Sequence, residues 1–264
     1  VLMKSLKNWL LVLSVLSCFG CSSPVHEDGR GCAFVSDSIQ YRVEFMSEGC
    51  VRILSFPEGD TLVTKRLVVD SQKPAFKDYK WKDTGQQLIF STRELSVAFD
   101  KEDAAFTFQE VSTGKLLLKE KEAKKARHFK RSVTGGEQCL EVTQRFVPTD
   151  DEAIYGLGQY QNGIMNYRGK SVLLLQANMD IVNPFLISTN GYGILWDNYS
   201  STKFEDTEEG YSFTSEVGDA SDYYFVYGKN MDEVVAGYRE LTGDVPMFGK
   251  WVYGFWQSKE RYKS

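Results

Sequence analysis

The chain alternates apolar and polar positions over many short segments, and the first of these begins at residue 39. Its apolar positions are Ile39, Tyr41, Val43 and Phe45. A second apolar run at 50–56 follows the turn residues at 47–49, so the two segments predict a β-hairpin. Similar short runs, separated by turn residues, recur at 88–90, 95–99, 106–108 and 116–118. Many short strands at this spacing predict an antiparallel β-sandwich.

The segment at 155–198 combines glycines, aromatic residues and side-chain amides around two apolar runs. The runs at 172–175 and 184–187 predict strands, and the polar residues between them predict a connecting loop. The loop carries Asn178, Asp180 and Asn183. Polar groups on a connection between buried strands are well placed to contact a ligand, because the scaffold holds them rigidly. A well-hydrated loop without a ligand is the alternative.

One helix is predicted near the end of the chain. Asn230 is a suitable N-cap, and Glu233 stands at the third helical position. The apolar residues that follow at helical spacing are Val234, Val235, Tyr238 and Leu241. Gly243, followed by Pro246, predicts where the helix ends.

A continuous apolar run at 251–256 follows the helix. Such a run is typical of a parallel strand that is buried on both faces. Ser258 is a candidate N-cap for a further helix. The segment therefore predicts the first strand and helix of a second domain.

Composition and charge limit the classes of function. Of the 264 residues, 42% are hydrophobic, and the formal net charge is −5. The main basic run, at 119–131, is interleaved with Glu120 and Glu122 and predicts a solvated hairpin. Nucleic acid is therefore not an expected partner. The chain has two histidines and shows no cluster at zinc-like spacing, so we expect neither a catalytic metal nor another cofactor.

The cysteines that follow the N-terminal segment do not predict a disulfide framework, because Cys32, Cys50 and Cys139 are odd in number and irregularly spaced. Cys50 lies in an alternating run and is predicted to be a small apolar residue of the core or of a sheet edge.

The N-terminus has the pattern of a targeting segment. Two lysines precede an apolar stretch at 9–16, which is too short to span a bilayer. Gly20 then precedes Cys21, an arrangement that resembles a bacterial lipoprotein signal with Cys21 as the acylated residue. Cys18 is a second candidate, and cleavage without lipidation is a further alternative. The expected location is the bacterial cell envelope, with attachment to the membrane by a lipid anchor; secretion to the periplasm is the alternative.

Four motifs, in order, resemble glycoside hydrolase family 31. They are Tyr-Gly-Leu-Gly-Gln at 155–159, Asn-Tyr-Arg-Gly at 166–169, Pro-Phe-Leu-Ile-Ser at 184–188 and PMFGKWVYGFWQSKERY at 246–262. The resemblance implies a mainly β fold, with an antiparallel β-sandwich of the galactose-mutarotase type followed by the truncated start of a (β/α)8 barrel. The expected organisation is a signal peptide at 1–21, a tether at 22–36, the sandwich at 37–229, a linking helix at 230–246 and the incomplete barrel at 247–264.

The resemblance also implies which residues contact an oligosaccharide substrate. They are Asn178 and Asp180 on the sandwich loop, with Trp256 and Gln257 at the end of the first barrel strand. The two catalytic aspartates of the family are implied to lie beyond residue 264, so no residue here is assigned a catalytic role and the chain by itself is expected to be inactive. Asp197 is predicted to be a turn residue that closes a strand with Asn198.

The implied activity is retaining hydrolysis of a terminal α-linked sugar. The motifs at 158–159, 166–169 and 254–258 look closest to bacterial α-xylosidases that act on xyloglucan fragments. An α-glucosidase of the same family is the near alternative. A carbohydrate-binding surface lipoprotein without catalysis is the alternative from a different class.

Overall fold

The computed structural model describes residues 24–60, 66–70, 74–122 and 125–257. Its first strands are β1 (His26–Glu27), β2 (Cys32–Ser36), β3 (Ile39–Phe45), β4 (Cys50–Pro57), β5 (Lys80–Asp83), β6 (Gln87–Ser91), β7 (Leu95–Asp100), β8 (Ala105–Glu110) and β9 (Leu116–Glu120). The later strands are β10 (Arg127–Thr134), β11 (Glu137–Val147), β12 (Ile154–Gln159), β13 (Ser171–Leu174), β14 (Ile181–Ser188), β15 (Tyr192–Trp196), β16 (Thr202–Thr207), β17 (Gly210–Gly218) and β18 (Ser221–Tyr227). The helix α1 (Met231–Thr242) and a 3₁₀ helix at Lys250–Tyr253 follow.

Within these residues the strands form two antiparallel sheets. The strand order of the first sheet is β1-β2-β3-β4-β18-β15-β14-β12. The second sheet runs β13-β16-β17-β11-β9-β8-β7-β6-β5, and β10 pairs with β11 outside this path. The predicted antiparallel β-sandwich is therefore confirmed, including the hairpin formed by β3 and β4.

Aromatic side chains from the two sheets meet in the interior. Phe34 from the first sheet packs against Phe99 from the second at 4.8 Å between ring centroids. Phe108 stacks on Phe225 at 4.2 Å. These side chains are almost fully buried, so the alternating apolar positions of both sheets build one continuous core, as the period of a strand requires.

The predicted helix is confirmed together with its caps. The Asn230 side chain accepts a hydrogen bond from the Glu233 amide at 3.0 Å, and the Glu233 carboxylate accepts one from the Lys229 amide at 3.0 Å. Gly243 ends the helix with a φ of 90°. The apolar face of α1 covers the outer side of the first sheet beside Cys50, which is buried as predicted.

The tether predicted at 22–36 was wrong for its second half. Cys32–Ser36 is strand β2, and Cys32 and Phe34 point into the core with 0% and 3% of their surface exposed. Phe34 pairs with Tyr41 across the ladder to β3. The alternation in this segment is only five residues long, and the pairing with β3 is what makes it a strand. The signal segment and Cys18 and Cys21 lie outside the described residues.

The solvated hairpin predicted at 119–131 was wrong as a hairpin, although Glu122, Lys125 and Arg131 are exposed as predicted. β9 and β10 both pair with β11, and Glu120 and Arg127 form a buried ion pair at the core. Glu120 accepts further hydrogen bonds from the Tyr223 hydroxyl at 2.9 Å and the Gln144 amide at 2.8 Å. A buried carboxylate is stable only when it is paired and hydrogen-bonded in this way.

A second buried ion network lies on the outer face of the first sheet. Arg52 binds both carboxylate oxygens of Asp222, at 2.8 and 2.5 Å, and one oxygen of Glu44 at 3.0 Å. Arg42 and Arg66 also contact Glu44, at 2.6 and 2.7 Å. Burial by itself raises the pKa of Glu44, but the surrounding guanidinium groups outweigh it and hold that pKa below its ordinary value.

The strand predicted at 251–256 is not formed. Lys250–Tyr253 is a 3₁₀ helix, and Trp251, Phe255 and Trp256 are exposed. No described strand lies beside this segment, so its backbone is satisfied locally, for example by the Val252 amide on the Gly249 carbonyl at 3.0 Å. A parallel strand exists only where neighbours complete its ladder, and the described residues therefore contain no barrel strand here. Ser258 lies outside them.

None of the described helices is both long and apolar enough to cross a membrane.

Candidate substrate-binding loop

The polar loop between the two strands of the central segment crosses from one sheet to the other. β13 is an edge strand of the second sheet and β14 belongs to the first, so residues 175–180 bridge the rim of the sandwich. Asn178 is exposed and Asp180 is partly buried. Asn183, which we predicted to lie in the loop, instead lies within β14.

The side chain of Gln176 braces this loop. Its amide nitrogen donates to the Asp180 carbonyl at 2.6 Å, and its amide oxygen accepts from the Val182 amide at 3.1 Å. The Asp180 amide also donates to the Ala177 carbonyl at 3.3 Å. Gln176 therefore fixes the backbone on the C-terminal side of Asp180, and the Ala177 carbonyl holds the Asp180 amide. The residue pattern did not single out Gln176, although an amide directly after an apolar run is the available signal.

The Asp180 carboxylate is presented without a protein partner. None of the described residues donates a hydrogen bond to it or pairs with it as a cation. The Asp180 carboxylate nevertheless affects a neighbouring residue. Burial of Tyr160 raises its pKa most, and electrostatic interactions with Tyr167 and Asp180 raise it further, to about 12. A partly buried carboxylate with unused acceptor sites is suited to receive hydroxyl groups of a ligand.

The glycine motif at 155–159 brings the start of β14 to its position. Gly158 has a φ of 120°, and a Cβ there would lie 2.1 Å from the Ile181 carbonyl oxygen. The register of β12 against β14 shifts between Gly156 and Gly158. Only glycine permits this approach, so the motif sets where Ile181, and with it Asp180, can lie.

The other end of β14 is tied to α1. The Tyr238 hydroxyl donates to the Asn183 side-chain oxygen at 3.3 Å, and its ring stacks on Phe185 at 4.3 Å between centroids. Asn183 is thus a structural residue, which explains how the helix and the loop strand are held together.

The motif at 166–169 also has a structural role. The Asn166 side chain accepts hydrogen bonds from the Ile154 and Arg168 amides at 3.1 and 3.0 Å. Asp206 accepts from the Gly169 amide at 2.6 Å and pairs with Arg168 at 3.2 Å. These contacts hold the segment that precedes β13, because they join it to β12 and β16.

Trp256 and Gln257 are not brought to this loop in the described part of the chain. Both are exposed, and the Trp256 indole donates to the Val252 carbonyl at 2.8 Å within its own segment. Among the described residues, no hydrogen bond or ring contact joins 250–257 to 175–183. The loop pair Asn178 and Asp180 is therefore the part of the predicted site that the structure assembles.

Asn198 holds the turn after β15, and Asp197 has a different environment. Asn198 accepts hydrogen bonds from the amide and hydroxyl of Ser200 at 2.8 and 2.9 Å. The Asp197 carboxylate instead interacts with the Tyr199 hydroxyl, and one of its oxygens is buried without a partner. Asp197, predicted to be a turn residue that closes a strand with Asn198, does directly follow β15, but the side chain that holds the turn is that of Asn198.

Comparison with known proteins agrees with this architecture. A family model described as the glycosyl hydrolase 31 N-terminal galactose mutarotase-like domain matches residues 40–205. An α-xylosidase of Saccharolobus solfataricus is 36% identical over 242 residues, which cover 86% of this chain and 31% of that protein. The fold is thus that of a galactose-mutarotase-like β-sandwich. The chain belongs to glycoside hydrolase family 31, with which it shares the N-terminal domain.

Two solved structures of the family resemble the whole described fold. A family 31 α-xylosidase from a soil metagenome, complexed with xylose, is 25% identical to this chain with a TM-score of 0.79. The matched region is 91% of this chain and 37% of the α-xylosidase. A family 31 dextranase of Flavobacterium johnsoniae, complexed with isomaltotriose, is 24% identical to this chain with a TM-score of 0.71. The matched region is 89% of this chain and 30% of the dextranase. The chain spans well under half of each of these proteins.

Proposed function

We propose that the protein is a retaining, exo-acting α-xylosidase that acts on xyloglucan-type oligosaccharides, and that this chain supplies substrate contacts rather than the catalytic carboxylates. Family membership and the α-xylosidases among the relatives support the reaction class. The observation that carries the substrate contact is the unpartnered Asp180 carboxylate on a loop braced by Gln176.

The bracing favours a ligand-binding loop over a merely hydrated one. Gln176 fixes the Asp180 carbonyl and the Val182 amide, so this part of the loop is held in one conformation before a ligand binds. Preorganisation of this kind lowers the entropy lost when a ligand binds. Asn178, exposed on the same turn, adds an amide that both donates to and accepts from sugar hydroxyls.

Trp256 and Gln257 complete the proposed contacts. Trp256 is 63% exposed, and an aromatic face packs well on the C–H surface of a sugar. Gln257 offers an amide next to it. In a retaining enzyme these contacts hold the sugar while two carboxylates about 5–5.5 Å apart act as nucleophile and as general acid and base.

An α-glucosidase is the second candidate, favoured by the likeness to a dextranase complexed with isomaltotriose. The two activities are separated by the ratio of kcat/KM on 4-nitrophenyl α-xyloside and α-glucoside, measured on the protein that includes a catalytic barrel. A carbohydrate-binding lipoprotein is the third candidate, and turnover of neither substrate would favour it.

The test of the substrate contact is Asp180→Ala in the barrel-containing protein. Hydrogen bonds to a charged group contribute about 1.5–3 kcal/mol, and each 1.4 kcal/mol or so corresponds to a tenfold change. We therefore expect kcat/KM on the preferred α-glycoside to fall by about one to two orders of magnitude. The melting temperature should change little, because Asp180 braces nothing through its carboxylate.

The matched control is Asp219→Ala, which removes an exposed carboxylate from the turn between β17 and β18. This variant should keep the kcat/KM of the unmodified protein. A folded Asp180→Ala variant with unchanged kcat/KM would refute the assignment of Asp180 to the substrate site.

We also propose that Cys21 is acylated and anchors the protein in the bacterial cell envelope, on the basis of Gly20-Cys21 after a short apolar stretch. Several acyl chains on one residue hold firmly, since each buried methylene contributes about 0.8 kcal/mol. Mass spectrometry of protein from native membranes should show a diacylglyceryl cysteine at the mature N-terminus. Acylation at Cys18 would move the site, and an unmodified N-terminus in the soluble fraction would exclude the anchor.

A further inference from the structure

Two Asn-Gly dipeptides occur in the chain, Asn162-Gly163 and Asn190-Gly191. An asparagine side chain loses its amide most readily when glycine follows, because a residue without a Cβ lets its backbone nitrogen approach the asparagine carbonyl carbon. The first dipeptide lies in the loop between β12 and β13, and the second lies in the turn between β14 and β15. Both have the same covalent chemistry, so a difference in their reactivity must come from the fold.

The atoms that react are free at the first dipeptide. Asn162 and Gly163 are both exposed, and a Cβ on Gly163 would meet nothing within 4 Å. Among the described residues, the Asn162 side-chain nitrogen and the Gly163 backbone nitrogen have no hydrogen-bond acceptor. The nitrogen that would attack and the nitrogen that would leave are therefore both open to solvent.

The same loop supplies a donor for the charge that the reaction develops. The Ile164 amide donates to Asn162 Oδ1 at 2.9 Å. When a nitrogen attacks the adjacent Cγ, negative charge builds up on this oxygen, and a backbone donor at about 2.7–3.1 Å then stabilises the transition state. Ile164 packs against the core of the sandwich, so its amide is held in position.

The second dipeptide has both nitrogens engaged. The Asn190 side-chain nitrogen donates to the carbonyls of Leu116 and Leu117 at 3.2 and 2.6 Å. The Gly191 amide donates to the Ser188 carbonyl at 3.2 Å. Three hydrogen bonds must therefore break before the Gly191 nitrogen can attack and the Asn190 nitrogen can leave.

We infer that Asn162 is a site of spontaneous deamidation, and that the fold protects Asn190 from the same reaction. The Gly163 backbone nitrogen loses its proton to a base in solvent and forms a bond to Asn162 Cγ. The bond from Cγ to the side-chain nitrogen breaks, and this nitrogen takes up a proton from water and leaves as ammonia. The product is a cyclic imide between residues 162 and 163.

A water molecule then opens the imide at one of its two carbonyl carbons. Opening at the former side-chain carbonyl gives aspartate, and opening at the main-chain carbonyl gives isoaspartate. One water is consumed and one ammonia is released, with no oxidation or reduction. The loop between β12 and β13 gains a negative charge, and isoaspartate also adds a carbon atom to its backbone. This reaction requires no substrate, so it is independent of the proposed function.

The test incubates the folded 264-residue chain in mildly alkaline buffer made with water enriched in heavy oxygen. Mass spectrometry of peptides then measures conversion at residues 162 and 190. We expect aspartate and isoaspartate at 162, each with one heavy oxygen atom from solvent. Because three hydrogen bonds protect residue 190, and each contributes a few-fold to about tenfold, conversion there should be about a hundredfold slower.

The chain unfolded in urea is the control for the role of the fold. Both dipeptides should convert at similar rates there, because the hydrogen bonds that protect Asn190 are lost. No conversion at 162 in the folded chain, or equal rates at 162 and 190 in that chain, would overturn the inference. Formation of aspartate without isoaspartate would also overturn it, because direct hydrolysis of the amide involves no cyclic imide.

Gly163→Ala tests the attacking nitrogen, because the added Cβ hinders its approach to Asn162 and should slow conversion several-fold. The matched control is Gly114→Ala. Gly114 has the same φ of 71° as Gly163 and equally open surroundings, but it follows a threonine. This variant should convert at residue 162 as fast as the unmodified chain. Equal rates for the two variants would refute attack by the Gly163 nitrogen.

Discussion

Replacing Arg52 by leucine is expected to lower the free energy of unfolding by about 3–5 kcal/mol, because it leaves the buried carboxylate of Asp222 without its cationic partner. Arg52 is only 2% exposed. It lies between Asp222 and Glu44, which are 6% and 4% exposed. Removing the guanidinium leaves Asp222 unpaired in a poorly solvated position, whereas Glu44 keeps Arg42 and Arg66. Urea denaturation of the 264-residue chain measures the loss, and a typical domain stability of about 5–15 kcal/mol leaves the variant folded.

The same variant should show a distinctive dependence on pH. The pKa of Glu44 is lowered in the folded protein, so its contribution to stability is present above the ordinary carboxyl pKa of 4.5 and is lost as the pH falls. In Arg52→Leu, Glu44 loses one of the guanidinium groups that lower its pKa and so takes up a proton more readily. The difference in free energy of unfolding between the unmodified chain and Arg52→Leu should therefore become smaller as the pH is lowered below 4.5.

Arg93→Leu is the control for the loss of an arginine as such. The Arg93 side chain is 79% exposed and pairs with Glu48 at 2.5 Å, and solvent-exposed ion pairs contribute little. Its unfolding curve should stay close to that of the unmodified chain. Equal losses for Arg52→Leu and Arg93→Leu would show that the buried network does not stabilise the sheet.

Gly158→Ala is expected to destabilise the chain by about 2–5 kcal/mol through two separate effects. The φ of 120° disfavours any side chain, and the new Cβ would lie 2.1 Å from the Ile181 carbonyl oxygen. The start of β14 must then move away, which displaces the adjacent Asp180. Hydrogen exchange should accordingly rise at residues 176–183, and urea denaturation should report the loss of stability.

Gly163→Ala separates the two effects. Gly163 has a positive φ of 71°, but a Cβ there would meet nothing within 4 Å. This variant should lose only the conformational part, about 1–2 kcal/mol, and leave exchange in 176–183 unchanged. If both variants lose the same stability, the close approach of β12 to β14 does not position the loop.

The candidate site was predictable only where its residues are close in sequence. Asn178 and Asp180 stand two residues apart on one loop, so their proximity follows from the chain itself. For Gln176 the residue pattern shows only an amide after an apolar run, and its role depends on the backbone path of the loop, which becomes fixed only in the folded chain.

Local pattern by itself determined several of the strands, the turns between them and the capped helix. The period of the apolar positions selects the backbone conformation, as in the hairpin of β3 and β4, and caps such as Asn230 satisfy the ends of a helix from neighbouring residues. These interactions join residues a few positions apart, so the sequence contains all that they need.

The tertiary structure alone decided which polar groups are buried and which short segments become strands. Arg52 and Asp222 are 170 residues apart and meet because β4 pairs with β18. Cys32–Ser36 became a strand because β3 completes its ladder, whereas the apolar run at 251–256 has no described neighbour and did not. In each case the deciding partner lies on another part of the chain, and the energy of burial and backbone pairing exists only when that partner is in contact.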